Sequence, residues 1–261
     1  MRASAVSFSF FLALFPTIIF VFTLIPYIPI ENFQVQLMAL LKNFMPHNAY
    51  KATEDTILDI VTNERGGLLS IGVISALYFS TNGFDALITA FNHTFHVFET
   101  RNGFQQRLVS LVLVLISIVL LTIAILLIIV SEFALHKIFH NDALSSFLIQ
   151  AGTWIIVFAL FYALISFTFY LGPARKSGWN FASPGSLLAT FLSIATSIGF
   201  GYYVNNFDSY NKLYGSIGTL IVVLLWLYFN SLVVLIGFDL NVSIKEAKKS
   251  KKGLVNSRLP R

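Results

Sequence analysis

Six long runs of apolar residues, separated by short polar segments, dominate the hydrophobic pattern of this chain. A bilayer core about 30 Å thick is crossed by a helix of about 20 apolar residues. Six stretches reach that length, and they are residues 3–28, 68–91, 108–130, 147–171, 186–205 and 216–240. The pattern predicts an all-α fold, a polytopic bundle of six transmembrane helices that forms one domain over residues 1–244, followed by a basic tail over residues 245–261.

The first apolar run begins almost at Met1 and carries Pro16 near its middle. It is longer than the apolar core of a signal peptide, which spans about 7–15 residues. We therefore predict a retained first helix with a kink at Pro16.

Residues 31–67, between the first two runs, form the largest polar segment outside the predicted bundle. Apolar residues recur there at helical spacing on both sides of Pro46. This spacing predicts two short amphipathic helices that lie against the outer face of the bundle.

The composition excludes a soluble enzyme, since 56% of the residues are hydrophobic and only 11% are charged. Soluble domains carry about 25% charged residues. Cysteine is absent, which excludes disulfides, thiolate metal sites and a cysteine nucleophile. The sequence also lacks the phosphate-binding loop, the nucleophile elbow and the His-Glu-x-x-His motif. No catalytic residue and no cofactor are predicted.

Basic residues indicate the orientation of the bundle. With the N-terminus inside, twelve of the 17 Lys and Arg residues fall on the inner side, and seven of these are in the tail. The positive-inside rule therefore predicts both termini in the cytoplasm. A basic segment beside a membrane is typical of contact with anionic lipid headgroups. We therefore expect lipid rather than nucleic acid as the partner of the tail.

Polar side chains in the second and sixth runs are the main candidates for a functional site, because polar groups in lipid are costly. The candidates are Asn82, Asp85, Tyr228, Asn230, Asp239 and Asn241. Both runs cross from outside to inside, so Asp85 and Asp239 are expected at similar depth. Two interpretations stay open: a substrate cavity that opens toward the cytoplasm, or hydrogen bonds that join helices and headgroup-level contacts.

A second polar and aromatic stretch lies between the fifth and sixth runs. Its candidate gate residues are Asn205, Asn206, Asp208, Tyr210, Asn211 and Tyr214. The stretch is interpreted either as an outer gate or as a tight helical hairpin with interfacial tyrosines.

Two groups of histidines and carboxylates are candidate metal ligands: His93, His96 and Glu99 on the inner side, and Glu132, His136 and His140 on the outer side. The second group is spaced by four residues, which puts it on one helix face. Two His and one Glu on a single helix make an incomplete zinc site. The sequence therefore predicts no metal site.

Several stretches together resemble the YihY family, also called the virulence factor BrkB family. They are residues 9–16, 82–87, 90–92, 99–101, 184–190, 203–207, 210–218, 224–228 and 237–241. The run Tyr-Asn-x-x-Tyr-Gly at residues 210–215 is fairly specific to the family.

This resemblance implies a six-helix protein of the bacterial cytoplasmic (inner) membrane, and it implies transport only as the family's usual interpretation. The older ribonuclease label of the family is regarded as a misassignment. Members of the family usually carry an amphipathic segment before the first span, and this chain starts almost inside that span. We therefore expect either a trimmed chain or a short member.

Two classes of function remain open. The first is a transporter or exporter of a small molecule or lipid-like substrate. The second is a non-transporting membrane scaffold or envelope-integrity factor. A membrane-tethered nuclease is disfavoured. Faces of small residues would also allow a homodimer.

Overall fold

The computed structural model describes residues 2–27, 38, 47–94, 101–138, 143–174, 181–206 and 208–256. These residues form seven α-helices, and the described part of the chain contains no strand. The helices are α1 (Arg2–Leu24), α2 (His47–Thr62), α3 (Gly66–Thr94), α4 (Gly103–Ile138), α5 (Ala143–Leu171), α6 (Pro184–Asn206) and α7 (Asp208–Asn256). A short 3₁₀ turn, Ile25–Tyr27, follows α1.

Six of these helices, all except α2, are long and apolar enough to cross a membrane. Their most apolar windows have mean hydropathies between 1.3 and 3.4, with α4 the highest. The prediction of six transmembrane helices is confirmed. Of the two amphipathic helices predicted in residues 31–67, the second corresponds to α2, and the first lies outside the described residues except for Met38.

One boundary differs from the sequence prediction. Helix α7 continues through residue 256, so most of the predicted basic tail extends the sixth span as helix. Lys, Glu and Ala favour helix, and no proline interrupts this segment. Helix α1 continues through Pro16, which transmembrane helices tolerate, and the kink stays a prediction.

The six long helices pack as a closed ring. Going round the ring, α1 contacts α3, α3 contacts α4, α4 contacts α5, α5 contacts α6, α6 contacts α7, and α7 returns to α1. Helix α2 contacts α1 and the turn Ile25–Tyr27 at one end of the ring. The ring leaves a common interior into which several helices direct side chains.

The two ends of the bundle differ. Arg2, Thr94 and Asp239 contact one another, so the first turn of α1 and the last turn of α3 lie at the same end. We call this the terminal end, and the end that carries α2 the opposite end. The main buried core, which includes Phe91, Phe169 and Phe238, lies toward the terminal end.

A mid-depth cavity and the polar contacts around it

A cavity of about 210 Å³ lies inside the ring, between α1, α3, α5, α6 and α7. Apolar and aromatic side chains form most of its wall, among them Phe10, Phe84 and Leu227. The polar contribution comes from five side chains, which are Thr168, Ser193, Trp226, Asn230 and Ser231. The cavity is therefore a mainly apolar chamber with a few polar groups.

Asn230 is the polar group best placed to meet a ligand. Its Nδ2 donates a hydrogen bond of 2.9 Å to the carbonyl oxygen of Trp226, which fixes the orientation of the amide. Among the described residues no donor reaches its Oδ1. The indole Nε1 of Trp226 is already engaged, because it donates to Oγ of Ser197 at 3.1 Å. One amide oxygen in the wall thus has acceptor capacity left.

A layer of buried side chains lies below the cavity, toward the terminal end. Phe91, Phe169 and Phe238 each follow a cavity-lining residue, namely Leu87, Ile165 or Val234, by one helical turn. The three rings touch: the centroids of Phe91 and Phe238 are 4.0 Å apart, and Phe169 lies 5.5 Å and 5.4 Å from them.

Two small residues complete this layer, Ala3 on α1 and Ala189 on α6. We call the set Ala3, Phe91, Phe169, Ala189 and Phe238 the floor. None of the five side chains is more than 6% exposed. The sequence predicted a cavity that opens toward the end with both termini. In the structure, the floor closes that side of the cavity.

Beside the floor, α6 and α7 cross with their backbones in contact. A Cβ atom on Gly185 would lie 2.0 Å from the carbonyl oxygen of Gly237, and one on Gly237 would lie 2.5 Å from that of Gly185. Any side chain at either position would force the helices apart. In lipid, burial of apolar side chains contributes little to helix association, because the surroundings are equally apolar. Small residues therefore stabilise helix crossings by allowing the backbones to approach closely.

Hydrogen bonds of Asn241 stabilise the same crossing. Its Oδ1 accepts a hydrogen bond of 2.8 Å from the N–H of Gly185, and its Nδ2 donates one of 2.8 Å to Oγ of Ser183. Ser183 precedes Pro184, the first residue of α6, and its Oγ also accepts from the N–H of Ser186. This is the usual arrangement of an N-cap followed by proline. Asn241 therefore caps α6 from α7.

Asp239 lies at the rim of the terminal end. Its Oδ1 accepts a hydrogen bond of 2.8 Å from Oγ1 of Thr94, and its Oδ2 lies 3.5 Å from Nη2 of Arg2. These contacts join α1, α3 and α7. The predicted similarity in depth between Asp85 and Asp239 is wrong, because Thr94 is nine residues beyond Asp85, or about 13 Å along the helix.

The other predicted polar residues of α3 face α4. Nε2 of Gln106 donates to Oδ1 of Asp85 at 2.8 Å and to Oγ1 of Thr89 at 3.1 Å. Asn82 accepts a hydrogen bond from Nη1 of Arg107. These pairs follow the second interpretation of the sequence, in which polar groups join helices.

Arg101, which was not among the predicted site residues, contacts the end of α5. Its guanidinium donates to the carbonyl oxygens of Leu171, Gly172 and Pro173, the shortest contact being 2.8 Å to Gly172. Burial lowers the pKa of Arg101. The ordinary pKa of arginine is so high that the side chain stays charged. A cation at a helix C-terminus complements the helix dipole.

Comparison with known proteins identifies the family. Residues 1–258 match the family described as virulence factor BrkB. The chain belongs to this family.

Three bacterial relatives illustrate the range of BrkB-family similarity. The ribonuclease-like protein YfkH of Bacillus subtilis is 29% identical over 95% of this chain and 90% of its own length. A UPF0761 membrane protein of Stenotrophomonas maltophilia is 29% identical over 93% of this chain but only 56% of its own length. One of Vibrio cholerae is 31% identical over 42% of this chain and 37% of its own length. No solved structure matches this BrkB-family chain.

The structure separates the six cavity candidates of this BrkB-family chain. Asn230 lines the cavity. The other five are placed elsewhere: Asn82, Asp85, Asp239 and Asn241 in the contacts above, and Tyr228 partly buried against the main core. A substrate-binding role for any of the six stays a prediction. Ser193, Trp226 and Ser231 also line the cavity but were not among the six cavity candidates, since small or aromatic residues in an apolar run give no periodic signal.

The outer-gate candidates cannot be compared in the same way. Asn205 and Asn206 lie at the end of α6, and Asp208, Tyr210, Asn211 and Tyr214 lie at the start of α7, but their side chains are outside the described residues. His96, Glu99 and His140 are also outside the described residues, as are the side chains of Glu132 and His136. Within the described part of the chain, no group of three or more His, Cys, Asp or Glu residues could hold a metal ion.

Proposed function

We propose that this BrkB-family protein is a transporter that takes the apolar part of a lipid-like small molecule into the mid-depth cavity. The cavity itself carries the proposal: it is mainly apolar, it lies inside a ring of membrane-spanning helices, and Oδ1 of Asn230 is available as an acceptor. Ligand sites usually combine such a wall with a few polar groups that fix orientation.

The volume sets the size of the occupant. An apolar cavity of about 150 Å³ holds one benzene molecule, and sites for drug-sized ligands have about 300–1,000 Å³. At about 210 Å³, this cavity fits one ring or a short segment of an acyl chain. A polar headgroup would stay outside it.

The floor blocks the path from the cavity to the terminal end. Phe91, Phe169 and Phe238 pack the terminal side, so a molecule in the cavity reaches that side only after these rings separate. We further propose the bacterial cytoplasmic membrane as the location, with both termini in the cytoplasm as the distribution of Lys and Arg indicates. In that orientation the structure corresponds to a state closed toward the cytoplasm.

The test is lipid movement in vesicles. Purified protein is reconstituted into phosphatidylcholine vesicles that contain a fluorescent acyl-labelled phosphatidylcholine, and dithionite then bleaches the outer leaflet. Wild type should expose inner-leaflet probe to bleaching. Ser193→Phe, which fills the cavity, should abolish this movement, whereas the matched control Leu225→Phe on the exposed side of α7 should not. Bleaching equal to that of protein-free vesicles would refute transport of this probe class.

The alternative is a non-transporting membrane scaffold or envelope-integrity factor. The packed floor and the backbone contact between Gly185 and Gly237 favour it, because they make the terminal end rigid. It predicts no probe movement in wild type and a protein partner recovered by crosslinking at the α2 surface or the basic end of α7.

An enzymatic role is not part of the proposal. The relative YfkH carries a ribonuclease-like name. This chain lacks the hydrolase motifs considered above, and activation of water on a phosphodiester commonly requires a metal site or a paired acid and base. We expect no RNA cleavage by the purified protein, and cleavage lost in His93→Ala would overturn this expectation.

A further inference from the structure

Arg107 places a guanidinium group inside the membrane-spanning part of α4. It is four residues after Gly103, the first residue of the helix, and so about 6 Å along the helix axis. Its contacts are all on α3: Nη1 donates to Oγ1 of Thr81 at 3.2 Å and to Oδ1 of Asn82, and Cζ lies 5.1 Å from the ring centre of Tyr78. The charge is thus fixed in the groove between α3 and α4.

The intramolecular contacts leave this cation without an anion. Among the described residues, the ion pairs are Arg2 with Asp239 and Arg65 with Asp59. Asp85, one turn from Thr81 on α3, is instead held by Gln106 at 2.8 Å. Neutral oxygens and an aromatic face orient a guanidinium, but they do not neutralise it.

Three of the five N–H donors of Arg107 are also open. A guanidinium has five N–H donors, and the contacts with Thr81 and Asn82 use only Nη1. Within the described part of the chain, Nε and Nη2 have no acceptor. These two nitrogens form the edge that binds the two oxygens of a phosphate or carboxylate side by side.

The surroundings show what can reach that edge. Tyr78 is 55% exposed, and the flanking apolar side chains of Ile74, Phe104 and Leu108 are more than half exposed as well. In a membrane-spanning helix, exposed apolar side chains face lipid. A molecule that binds here must therefore bring an anionic oxygen group together with hydrocarbon, and phospholipids combine the two.

We propose that the α3–α4 groove is a binding site for one anionic phospholipid. The phosphate accepts hydrogen bonds from Nε and Nη2 of Arg107, and the acyl chains lie against Ile74, Tyr78 and Leu108. This site is separate from the cavity inside the ring, and it does not depend on the proposed transport.

The experiment measures bound lipid on the full chain. Purified protein in neutral detergent is titrated with dioleoylphosphatidylglycerol or dioleoylphosphatidylcholine, and native mass spectrometry gives the Kd of the first bound lipid. Wild type should prefer phosphatidylglycerol. Arg107→Gln should weaken phosphatidylglycerol binding about tenfold, the size expected for charged hydrogen bonds. The matched control Arg65→Gln, which removes a positive charge at the opposite end, should leave the Kd unchanged.

Two further variants protect the test against a folding defect. Arg107→Lys keeps the charge but loses the two-nitrogen edge, so it should weaken binding several-fold in a protein that remains monodisperse. The double variant Thr81→Ala with Asn82→Ala removes the partners on α3 and should keep the preference for phosphatidylglycerol. A Kd unchanged in both Arg107 variants would overturn the proposal. Full competition by millimolar inorganic phosphate would overturn it too, because it would assign the site to a free anion.

Discussion

Replacing Gly185 by alanine tests the crossing of α6 and α7 beside the floor. In the structure, the added methyl would lie 2.0 Å from the carbonyl oxygen of Gly237 and 2.6 Å from Cγ of Asn241. Ordinary contacts between carbon and carbonyl oxygen are about 3.3–3.6 Å. Helices α6 and α7 must therefore move apart by more than 1 Å at their crossing, judged from that difference.

The expected cost has two parts. Overpacking of a tight contact costs about 1–3 kcal/mol. Separation of the helices also breaks the hydrogen bond between Asn241 and the N–H of Gly185, which is worth about 1 kcal/mol. The sum of about 2–4 kcal/mol corresponds to a fall in Tm of roughly 5–15 °C for a chain of this size.

The assay is thermal unfolding of the detergent-purified protein, followed by the fraction that stays monodisperse in size-exclusion chromatography. Gly199→Ala is the matched control on the same helix, because among the described residues nothing lies within 4 Å of its added methyl. Alanine is the better helix former, so the control should be neutral or stabilising. Equal Tm values for the two variants would refute the backbone crossing of α6 and α7.

The remaining predictions concern other contacts. Asn241→Ala should destabilise the protein by about 1–3 kcal/mol and lower Tm accordingly, because the buried N–H of Gly185 then has no acceptor. An unchanged Tm would contradict the hydrogen bond between Asn241 and Gly185. At the end of α2, hydrogen bonds from Arg65 and Asn63 lower the pKa of Asp59 below its ordinary value of 3.8. The stabilisation from this carboxylate is therefore present above pH 3.8 and is lost as the pH falls through the folded-state pKa. Melting curves of wild type and Asp59→Asn should differ at neutral pH and converge in acid, and a gap that widens in acid would contradict this sign.

The six spans could be predicted because lipid imposes a simple rule. Each backbone N–H and C=O must be satisfied within the helix, so each span needs about 20 apolar residues, and hydropathy shows their number and place. The C-terminal end of α7 could not be predicted in this way, because the lysines of residues 245–252 indicate a polar environment whether or not they are helical.

The partners of the polar residues could not be predicted. The charge of Asp85 within an apolar run makes it a candidate, but its pairing with Gln106 depends on the register between two helices. The same holds for Asn241 and Gly185, which are 56 residues apart. Glycines gave only a partial signal: Gly185 and Gly237 mark a close crossing, as small residues often do in membranes, whereas among the described residues nothing lies within 4 Å of a methyl added at Gly199.

The residues of the floor could not be predicted from the sequence either. Phe91, Phe169 and Phe238 come from three helices, and phenylalanine is so frequent in this chain, with 27 residues, that no single one stands out. Only the ring of helices brings these three together below the cavity. The cavity likewise results from where large side chains are absent, which one-dimensional patterns do not record.

Photolabelling shows whether the mid-depth cavity binds hydrocarbon. A fatty acid with a diazirine near the end of its chain is irradiated with the protein in vesicles, and mass spectrometry locates the adducts. If the cavity binds hydrocarbon, we expect adducts on wall residues such as Phe10, Phe84 and Leu227, and their loss in Ser193→Phe. Adducts confined to the exposed side chains of α4, such as Ile118 and Val119, and unchanged in Ser193→Phe, would contradict it.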